Sequence, residues 1–210
     1  MKECQMEQRC AAPRPKGRPC GFSESSALEG AMRAFWASGY DGVSIDTLCR
    51  ASQMSRASLY NRFGGKDALF LAAIAYYTET RLRVVVDALG PQGTLKEDLT
   101  AFFAQVVQLG TSDPQTPGCL ISCVLSEAAG SNQTYHDELE RRYIALERRI
   151  AVRLKADDCA ARGAVPLADA AALTAAMARG IILRARSGQS HAQLAPVGDA
   201  AAEAIVRLSC

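Results

Sequence analysis

Residues 43–66 read VSIDTLCRASQMSRASLYNRFGGK, and this stretch decides the fold. It holds two short helical patterns, and each follows a serine, Ser44 or Ser55, that can cap the first turn. Each serine lies between an apolar residue and a leucine four positions into the helix, which is the hydrophobic-staple arrangement. Only three residues, 52–54, separate the two patterns. Two short helices joined by so tight a turn predict a helix-turn-helix.

The second of these helices leaves polar and small side chains outside. Leu59 and Phe63 lie four residues apart and predict its inner face. Arginine and asparagine match the edges of guanine and adenine, while hydroxyl groups, lysine and helix N-termini can bind phosphates. The combination favours duplex DNA as the partner over an ordinary solvated helix face. The predicted DNA-binding residues are Ser44, Thr47, Ser55, Arg56, Ala57, Ser58, Tyr60, Asn61, Arg62 and Lys66.

The remainder of the chain also carries helical patterns. Upstream, Ser23 can cap a first helix that ends at Gly39 and carries one apolar stripe, with Glu24 in its first turn. Downstream, a long helix is predicted from Lys66 to Leu89. Further helices are predicted at 95–110, 117–129, 135–155, 167–187 and 194–208. No segment shows sustained alternation of apolar and polar residues, so we predict an all-α fold.

Residues 28–70 resemble the DNA-binding domain of the tetracycline-repressor (TetR) family of transcription regulators. The matching residues are Ala34-Phe35, Gly39-Tyr40, Val43-Ser44-Ile45, Leu48, Ala51, Met54-Ser55, Leu59-Tyr60-Asn61-Arg62-Phe63, Lys66 and Ala68-Leu69-Phe70. The resemblance implies a repressor that binds a palindromic double-stranded DNA operator as a homodimer, under the control of a small-molecule effector. It divides the folded chain into a helix-turn-helix domain at 23–66 and a helical effector-binding and dimerisation domain at 67–210.

The turn between the two short helices departs from the family pattern. Gln53 occupies the position where the family usually has glycine. If this residue adopts a positive φ, the turn carries a penalty on the order of 1 kcal/mol. The first helix departs as well, since Glu24 stands where many relatives carry basic residues.

Residues 1–22 have scattered charge, three prolines and no periodicity, and we interpret them as a flexible arm. Residues 1–66 carry ten Lys/Arg against six Asp/Glu, whereas residues 67–210 carry fourteen against sixteen. The arm contains Pro13-Arg14-Pro15-Lys16-Gly17-Arg18-Pro19, which resembles an AT-hook that would place Arg18 in the minor groove. An unstructured, solubilising tail is the alternative.

The C-terminal part offers candidates for an effector pocket and a dimer interface. The aromatic and polarisable candidates for ligand binding are Phe102, Phe103, Cys119, Cys123, Tyr143 and Met177, all of which plain core packing would also explain. The Ala-rich segments 167–187 and 194–208 fit a four-helix interface between two subunits, or internal core helices. Pro196 predicts that the last helix begins there or is kinked.

Cys119 and Cys123 are four residues apart on a predicted helix and therefore on one face. Three interpretations remain: buried packing, a thiol sensor of electrophiles or oxidants, and a metal site. Zinc would need about four ligands, and the chain offers only His136 and His191 as histidines. The other cysteines are expected to be free thiols in a reducing cytosol. We expect no metal and no cofactor.

The composition and motifs exclude several other classes of protein. No run of eighteen apolar residues exists, and the N-terminus lacks a signal-peptide pattern, so we expect a soluble, cytoplasmic protein without a membrane partner. No nucleophile–base pairing, phosphate loop or zinc spacing points to an enzyme. The alternatives are an all-α enzyme or small-molecule-binding protein, and a helical adaptor that binds acidic partners through residues 56–66.

Overall fold

A computed structural model describes residues 23–156 and 165–209. These ranges contain helices, turns and irregular connections but no β-strand, which confirms the predicted all-α fold. Within them, no helix combines the length and apolar character needed to cross a bilayer. The predicted arm at 1–22, with Arg18 and the segment that resembles an AT-hook, lies outside the described residues.

The N-terminal helices begin where the sequence predicts. Each of Ser23, Ser44 and Ser55 has extended backbone angles, and its hydroxyl accepts a hydrogen bond from a backbone N–H in the first turn. Gly39 interrupts the first helix with φ 76° and ψ 169°. The helices of this unit are α1 (Glu24–Gly42), α2 (Ile45–Ala51) and α3 (Arg56–Phe63).

The predicted long helix at 66–89 is not a regular α-helix. It consists of α4 (Lys66–Tyr77), a π-helical segment (Thr78–Leu82) and α5 (Arg83–Asp87). The hydroxyl groups of Thr78 and Thr80 donate to the carbonyls of Ile74 at 2.9 Å and Tyr76 at 2.7 Å. These bonds compete for carbonyls of the α-helical ladder, which favours the wider π turn.

The helix predicted at 117–129 begins later than expected. Gly118 has a positive φ of 84° and Cys119 is extended, so the chain turns before a π-helical segment (Leu120–Leu125) and α7 (Ser126–Ala129). The prediction that Cys119 and Cys123 share a helix face is therefore wrong. Cys119 precedes the helix, and its carbonyl accepts the N–H of Cys123 at 2.9 Å.

The C-terminal helices pack around two of their number, which span Leu95–Thr111 and Leu167–Arg186. The remaining helices are α6 (Leu95–Thr111), α8 (Gln133–Lys155), α9 (Leu167–Arg186) and α10 (His191–Ser209). Pro196 lies inside α10, which begins before it. Small residues allow close approach: a Cβ on Gly110 of α6 would lie 2.8 Å from the Cβ of Ala185 on α9. Ala175 of α9 and Ala201 of α10 are also buried, so one face of each Ala-rich helix is internal core.

Aromatic side chains join the N-terminal unit to the C-terminal helices. The ring of Phe70 on α4 lies 4.8 Å from Phe35 and 5.1 Å from Tyr40, both on α1. Tyr135 of α8 completes the group, with ring centres 5.1 Å from Tyr40 and 5.3 Å from Phe70. We call these four residues the aromatic cluster. It fixes α1 against α4 and α8 at once.

A buried ion pair, missed by the sequence interpretation, holds the turn before α6. Asp98 and Arg153 are only 4% and 3% exposed, and Arg153 Nε donates to Asp98 Oδ2 at 2.6 Å. The same carboxylate accepts the backbone N–H groups of Gln92 and Gly93. The guanidinium also donates through Nη2 to the carbonyl of Gly93 at 3.2 Å. Both oxygens of Asp98 and two of the three guanidinium nitrogens of Arg153 are thus hydrogen-bonded, which offsets the cost of burying two charges.

Asp98→Ala should destabilise the protein by about 3–5 kcal/mol, because Arg153 would keep a buried charge without a partner. Glu203→Ala, which removes the surface partner of Lys96, is the control and should leave the denaturant midpoint nearly unchanged. Equilibrium urea unfolding followed by circular dichroism measures both. A similar small shift for both variants would contradict a structural role for the buried pair.

Candidate functional site

The second helix of the helix-turn-helix, α3, presents the exposed face that its sequence predicts. Leu59 is fully buried and Phe63 half-buried, as expected for the inner face. The outer positions Arg56, Ala57, Tyr60, Asn61 and Arg62 are exposed to solvent, and half of the Tyr60 side chain is accessible. A helix anchored on one side and polar on the other can enter a groove without losing core contacts.

The predicted hydroxyl residues cap the two short helices. Ser44 Oγ accepts the N–H of Thr47 at 3.1 Å, and Ser55 Oγ accepts the N–H of Ser58 at 3.0 Å. The hydroxyls within each pair also lie 3.0 and 2.8 Å apart. Ser58 is consequently half-buried, whereas Ser44 and Ser55 remain exposed. These caps fix both helix N-termini on one surface.

The turn adopts the strained conformation expected from the sequence. Gln53 has φ 55° and is the one non-glycine residue with positive φ in the described ranges. Ser52 beside it is buried and donates to the carbonyl of Leu48 at 2.6 Å. The N–H of Met54 bonds to the carbonyl of Cys49 at 2.9 Å. The turn therefore keeps its hydrogen bonds while Gln53 bears the backbone strain.

An ion pair joins the two short helices on the exposed surface. Arg56 donates from Nε and Nη2 to the two carboxylate oxygens of Asp46, each at 2.8 Å. These hydrogen bonds, and then the opposite charges, lower the pKa of Asp46 and raise the pKa of Arg56. The sequence interpretation missed Asp46, because a contact between separate helices leaves no spacing signal. Arg56 is thus held in one orientation by an acidic neighbour.

Two other predicted cations also have partners. Arg62 Nη2 donates to Glu24 at the start of α1, so the residue that departs from the family pattern neutralises the end of α3. Lys66 is half-buried, with its Nζ 4.5 Å from the centre of the Tyr40 ring. The hydroxyl of Tyr40 in turn donates to Asp67. These contacts tie the basic surface to the aromatic cluster.

A cavity of about 390 Å³ lies among α5, α6, α8 and α9 and the two π-helical segments. Of the predicted ligand-binding residues, Phe102, Cys119 and Tyr143 line it. Phe103 instead faces α10, where a Cβ on Gly198 would meet it at 3.4 Å. Cys123 and Met177 are not among the lining residues. The sequence interpretation missed its arginines, which are Arg83, Arg142, Arg149 and Arg179.

Cys119 connects this cavity to the N-terminal unit. Its sulfur accepts a hydrogen bond from the hydroxyl of Tyr77 at 3.1 Å, and both residues are buried. Burial, and then the Cys119 thiol, raise the pKa of Tyr77 well above its usual value, so the phenol stays neutral. The Tyr77 ring packs edge-on against Trp36 of α1, with centres 5.0 Å apart. A buried chain of contacts thus runs from the cavity wall to α1.

The surroundings of the two cysteines favour the packing interpretation. Cys119 is 4% exposed, and burial raises the pKa of the Cys123 thiol, which lowers the fraction of reactive thiolate. His136 and His191 are exposed on α8 and α10. In the ranges that the structure describes, no three His, Cys, Asp or Glu side chains are grouped as metal ligands.

Gln53→Gly should raise the free energy of unfolding by about 0.5–1 kcal/mol, because glycine adopts a positive φ without steric penalty. For a chain of this size the thermal midpoint should rise by about 2 °C. Gly64→Ala is the matched control: its φ is 84° and an added Cβ would meet nothing within 4 Å. Calorimetry should show the opposite shift for that variant. A lower midpoint for Gln53→Gly would contradict strain at this position.

Comparisons with known proteins agree with this architecture. Residues 27–73 match the family model described as bacterial regulatory proteins, tetR family. Two transcriptional repressors of Escherichia coli K12 are similar over most of both chains. ComR is 25% identical, covering 85% of this chain and 87% of its own, and BdcR is 28% identical, covering 91% and 93%.

Solved structures of regulators share the fold. A cysteine mutant of CifR, a TetR family transcriptional regulator solved with 26-base-pair operator DNA, superposes with a TM-score of 0.79. It is 26% identical, and the match covers 90% of this chain and 99% of that one. SCO4454 from Streptomyces coelicolor, at 20% identity and a TM-score of 0.75, shows the fold alone. The chain thus carries a DNA-binding domain of the tetR family at residues 27–73, and it is similar over most of its length to transcriptional repressors and to a TetR family regulator solved with operator DNA.

Proposed function

We propose that this protein is a transcriptional repressor that binds a palindromic DNA operator as a homodimer and responds to a small molecule held in the cavity. The exposed polar face of α3, fixed by serine caps on both short helices, carries the proposal. The named relatives ComR and BdcR are repressors, which favours a regulator over an all-α enzyme or an adaptor. We place its action in the cytoplasm, where operator DNA is accessible.

In the proposed complex, α3 lies in the major groove. Ala57 and Ser58 near its N-terminus are small, so the backbone can approach the base edges closely. The Asn61 amide matches adenine, and the Arg56 guanidinium matches guanine once it leaves Asp46. Ser44, Thr47 and Lys66 are placed for phosphate contacts, together with the backbone N–H groups at the helix N-termini.

The homodimer is proposed to form through α9 and α10. On α9, Leu173, Ala176, Gly180 and Leu183 are exposed at spacings of three and four residues. Leu173 and Leu183 are 41% and 53% exposed, which is unusual for large apolar side chains. The small residues between them let a partner helix approach closely. In such a dimer, the two α3 helices would bind half-sites whose centres are separated by one helical turn of DNA, about 10 base pairs, or by a multiple of that.

The proposed effector acts through the connection between the cavity and α1. The π-helical segment Thr78–Leu82 contributes to the cavity wall, and it continues α4, which starts at the helix-turn-helix. The Cys119–Tyr77–Trp36 contacts provide a second route to α1. A ligand that shifts either element would change the separation of the two α3 helices. Such coupling is typically worth about 1–3 kcal/mol.

The proposed function is tested by fluorescence anisotropy with DNA from upstream of the protein's own gene, compared with random duplex. We expect clear preference for one genomic fragment. Asn61→Ala should lose about 1–3 kcal/mol on that fragment and much less on random DNA, because a base contact is removed.

Lys66→Ala should weaken binding to both duplexes alike and reduce the salt slope by about one, because a phosphate contact is lost. Arg148→Ala, an exposed cation on α8, is the control and should bind as the parent does. No fragment preference at low salt would contradict the function. Equal losses for Asn61→Ala on specific and random DNA would remove Asn61 from base recognition.

The Asp46–Arg56 pair makes a separate prediction. Asp46→Asn removes a negative charge from the DNA-facing surface and releases Arg56. Binding to random duplex should tighten several-fold, and the slope of log K against log salt should steepen by about one. Glu140→Gln, an exposed carboxylate on α8, is the matched control. Unchanged salt dependence in both variants would show that Arg56 stays away from the phosphates.

A further inference from the structure

The walls of the cavity between α6, α8 and α9 are mostly apolar. Phe102, Val106 and Leu109 of α6 line it, together with Ile182 of α9 and Leu146 of α8. Its volume of about 390 Å³ is within the range of small-molecule sites, which are concave, apolar and fitted with a few polar groups. The polar groups in such a site determine which chemical class of ligand it takes.

The positive and negative side chains that line the cavity differ in their exposure to solvent. Arg142, Arg149 and Arg179 are half-buried, whereas the two lining carboxylates, Glu79 and Asp87, are exposed. Exposed carboxylates are surrounded by water and are screened, but half-buried guanidinium groups act in a lower dielectric. The half-buried charged groups that line the cavity are therefore all guanidinium groups, and the carboxylates that pair with Arg142 and Arg179 lie outside the lining.

Two of these arginines already use some of their N–H groups in hydrogen bonds within the protein. Arg149 donates through Nη2 to the backbone carbonyl of Gly90. Arg142 donates through Nε to Glu138 at 2.7 Å, and burial lowers the pKa of Arg142. Arg142 therefore already forms an ion pair with Glu138, and only its remaining N–H groups are available to a ligand.

The strongest indication of a ligand is a buried N–H group of Arg179 that has no acceptor among the described residues. Its Nη1 is buried and has no hydrogen-bond partner in the described structure, while Nη2 reaches Glu147 at only 3.4 Å. The guanidinium carbon lies 4.4 Å from the centre of the Tyr143 ring, which fixes its plane against the cavity wall. Buried donors in native proteins are nearly always satisfied, so an unpaired guanidinium N–H beside an apolar cavity indicates a missing acceptor.

We propose that the effector is an amphipathic organic anion, an apolar chain or ring ending in a carboxylate that binds Nη1 of Arg179, with the remaining N–H groups of Arg142 as further donors. The inference deepens the proposed function, because it takes the cavity to be the effector site. The apolar walls bind the hydrocarbon part and the guanidinium groups select the head group.

The test is isothermal titration of the unmodified protein at neutral pH with octanoate, 1-octanol and n-octylamine. The three probes share one apolar chain and differ only in head-group charge. Octanoate should bind at least about tenfold tighter than octanol, since charge-assisted hydrogen bonds are the stronger ones, and octylammonium should bind weakest. Octanol binding as tightly as octanoate, or no octanoate binding up to about 5 mM, would overturn the inference.

Variants locate the head group. In Arg179→Met, which keeps an unbranched apolar stem but removes the guanidinium, the preference for octanoate over octanol should shrink to about twofold or less, and Arg179→Lys should restore part of it. Arg184→Met is the control, because Arg184 lies on the same helix, is exposed and does not line the cavity. Full preference retained in Arg179→Met, or equal loss in Arg184→Met, would overturn the assignment to Arg179. The head-group comparison on the parent protein holds even if a variant folds poorly.

Operator binding, measured separately by fluorescence anisotropy, distinguishes a failure of the anion site from a failure of the proposed repressor function. Selectivity for octanoate without operator binding would contradict the proposed function and leave the anion site standing. Operator binding without head-group selectivity would overturn only the anion site.

Discussion

The aromatic cluster of Phe35, Tyr40, Phe70 and Tyr135 is the contact on which the arrangement of the molecule depends. It brings residues of α1, α4 and α8 together within ring separations of about 5 Å. The short helices α2 and α3 bury little of their own surface, so their orientation follows that of α1 and α4. Any displacement of α4 or α8 against α1 requires the rings of the aromatic cluster to repack, and close-packed rings have few alternative arrangements.

Local chemistry explains why much of the N-terminal unit could be predicted from the sequence. Serine caps, glycine stops and the spacing of Leu59 and Phe63 act within a few residues, so their effects are readable along the chain. The possible strain at Gln53 came instead from the family resemblance, because that family usually has glycine at this position, and the structure gives Gln53 a φ of 55°. The exposed face of α3 follows directly once its inner residues are known.

The remaining features depend on contacts between distant segments. Asp46 with Arg56, and Asp98 with Arg153, pair across helices whose relative placement no periodicity encodes. The cavity is of this kind too: Arg179 was missed because its role arises from Tyr143 and Glu147 on another helix. The sequence predicts a helix that begins at Pro117 and so includes Cys119, whereas the positive φ of Gly118 turns the chain before the helix starts.

The π-helical segment Thr78–Leu82 rotates α5 about the helix axis relative to α4. A π turn holds about one residue more than an α turn, and each residue advances the helix by about 100°. The side chains of α5 are therefore rotated by roughly that angle relative to those of α4. Loss of one residue within the segment would restore a regular ladder and swing Val85 and Val86 away from the cavity, with the α4 contacts to α1 unchanged. Insertion or deletion of a single residue in this segment could thus change the shape of the cavity and leave the helix-turn-helix unaltered.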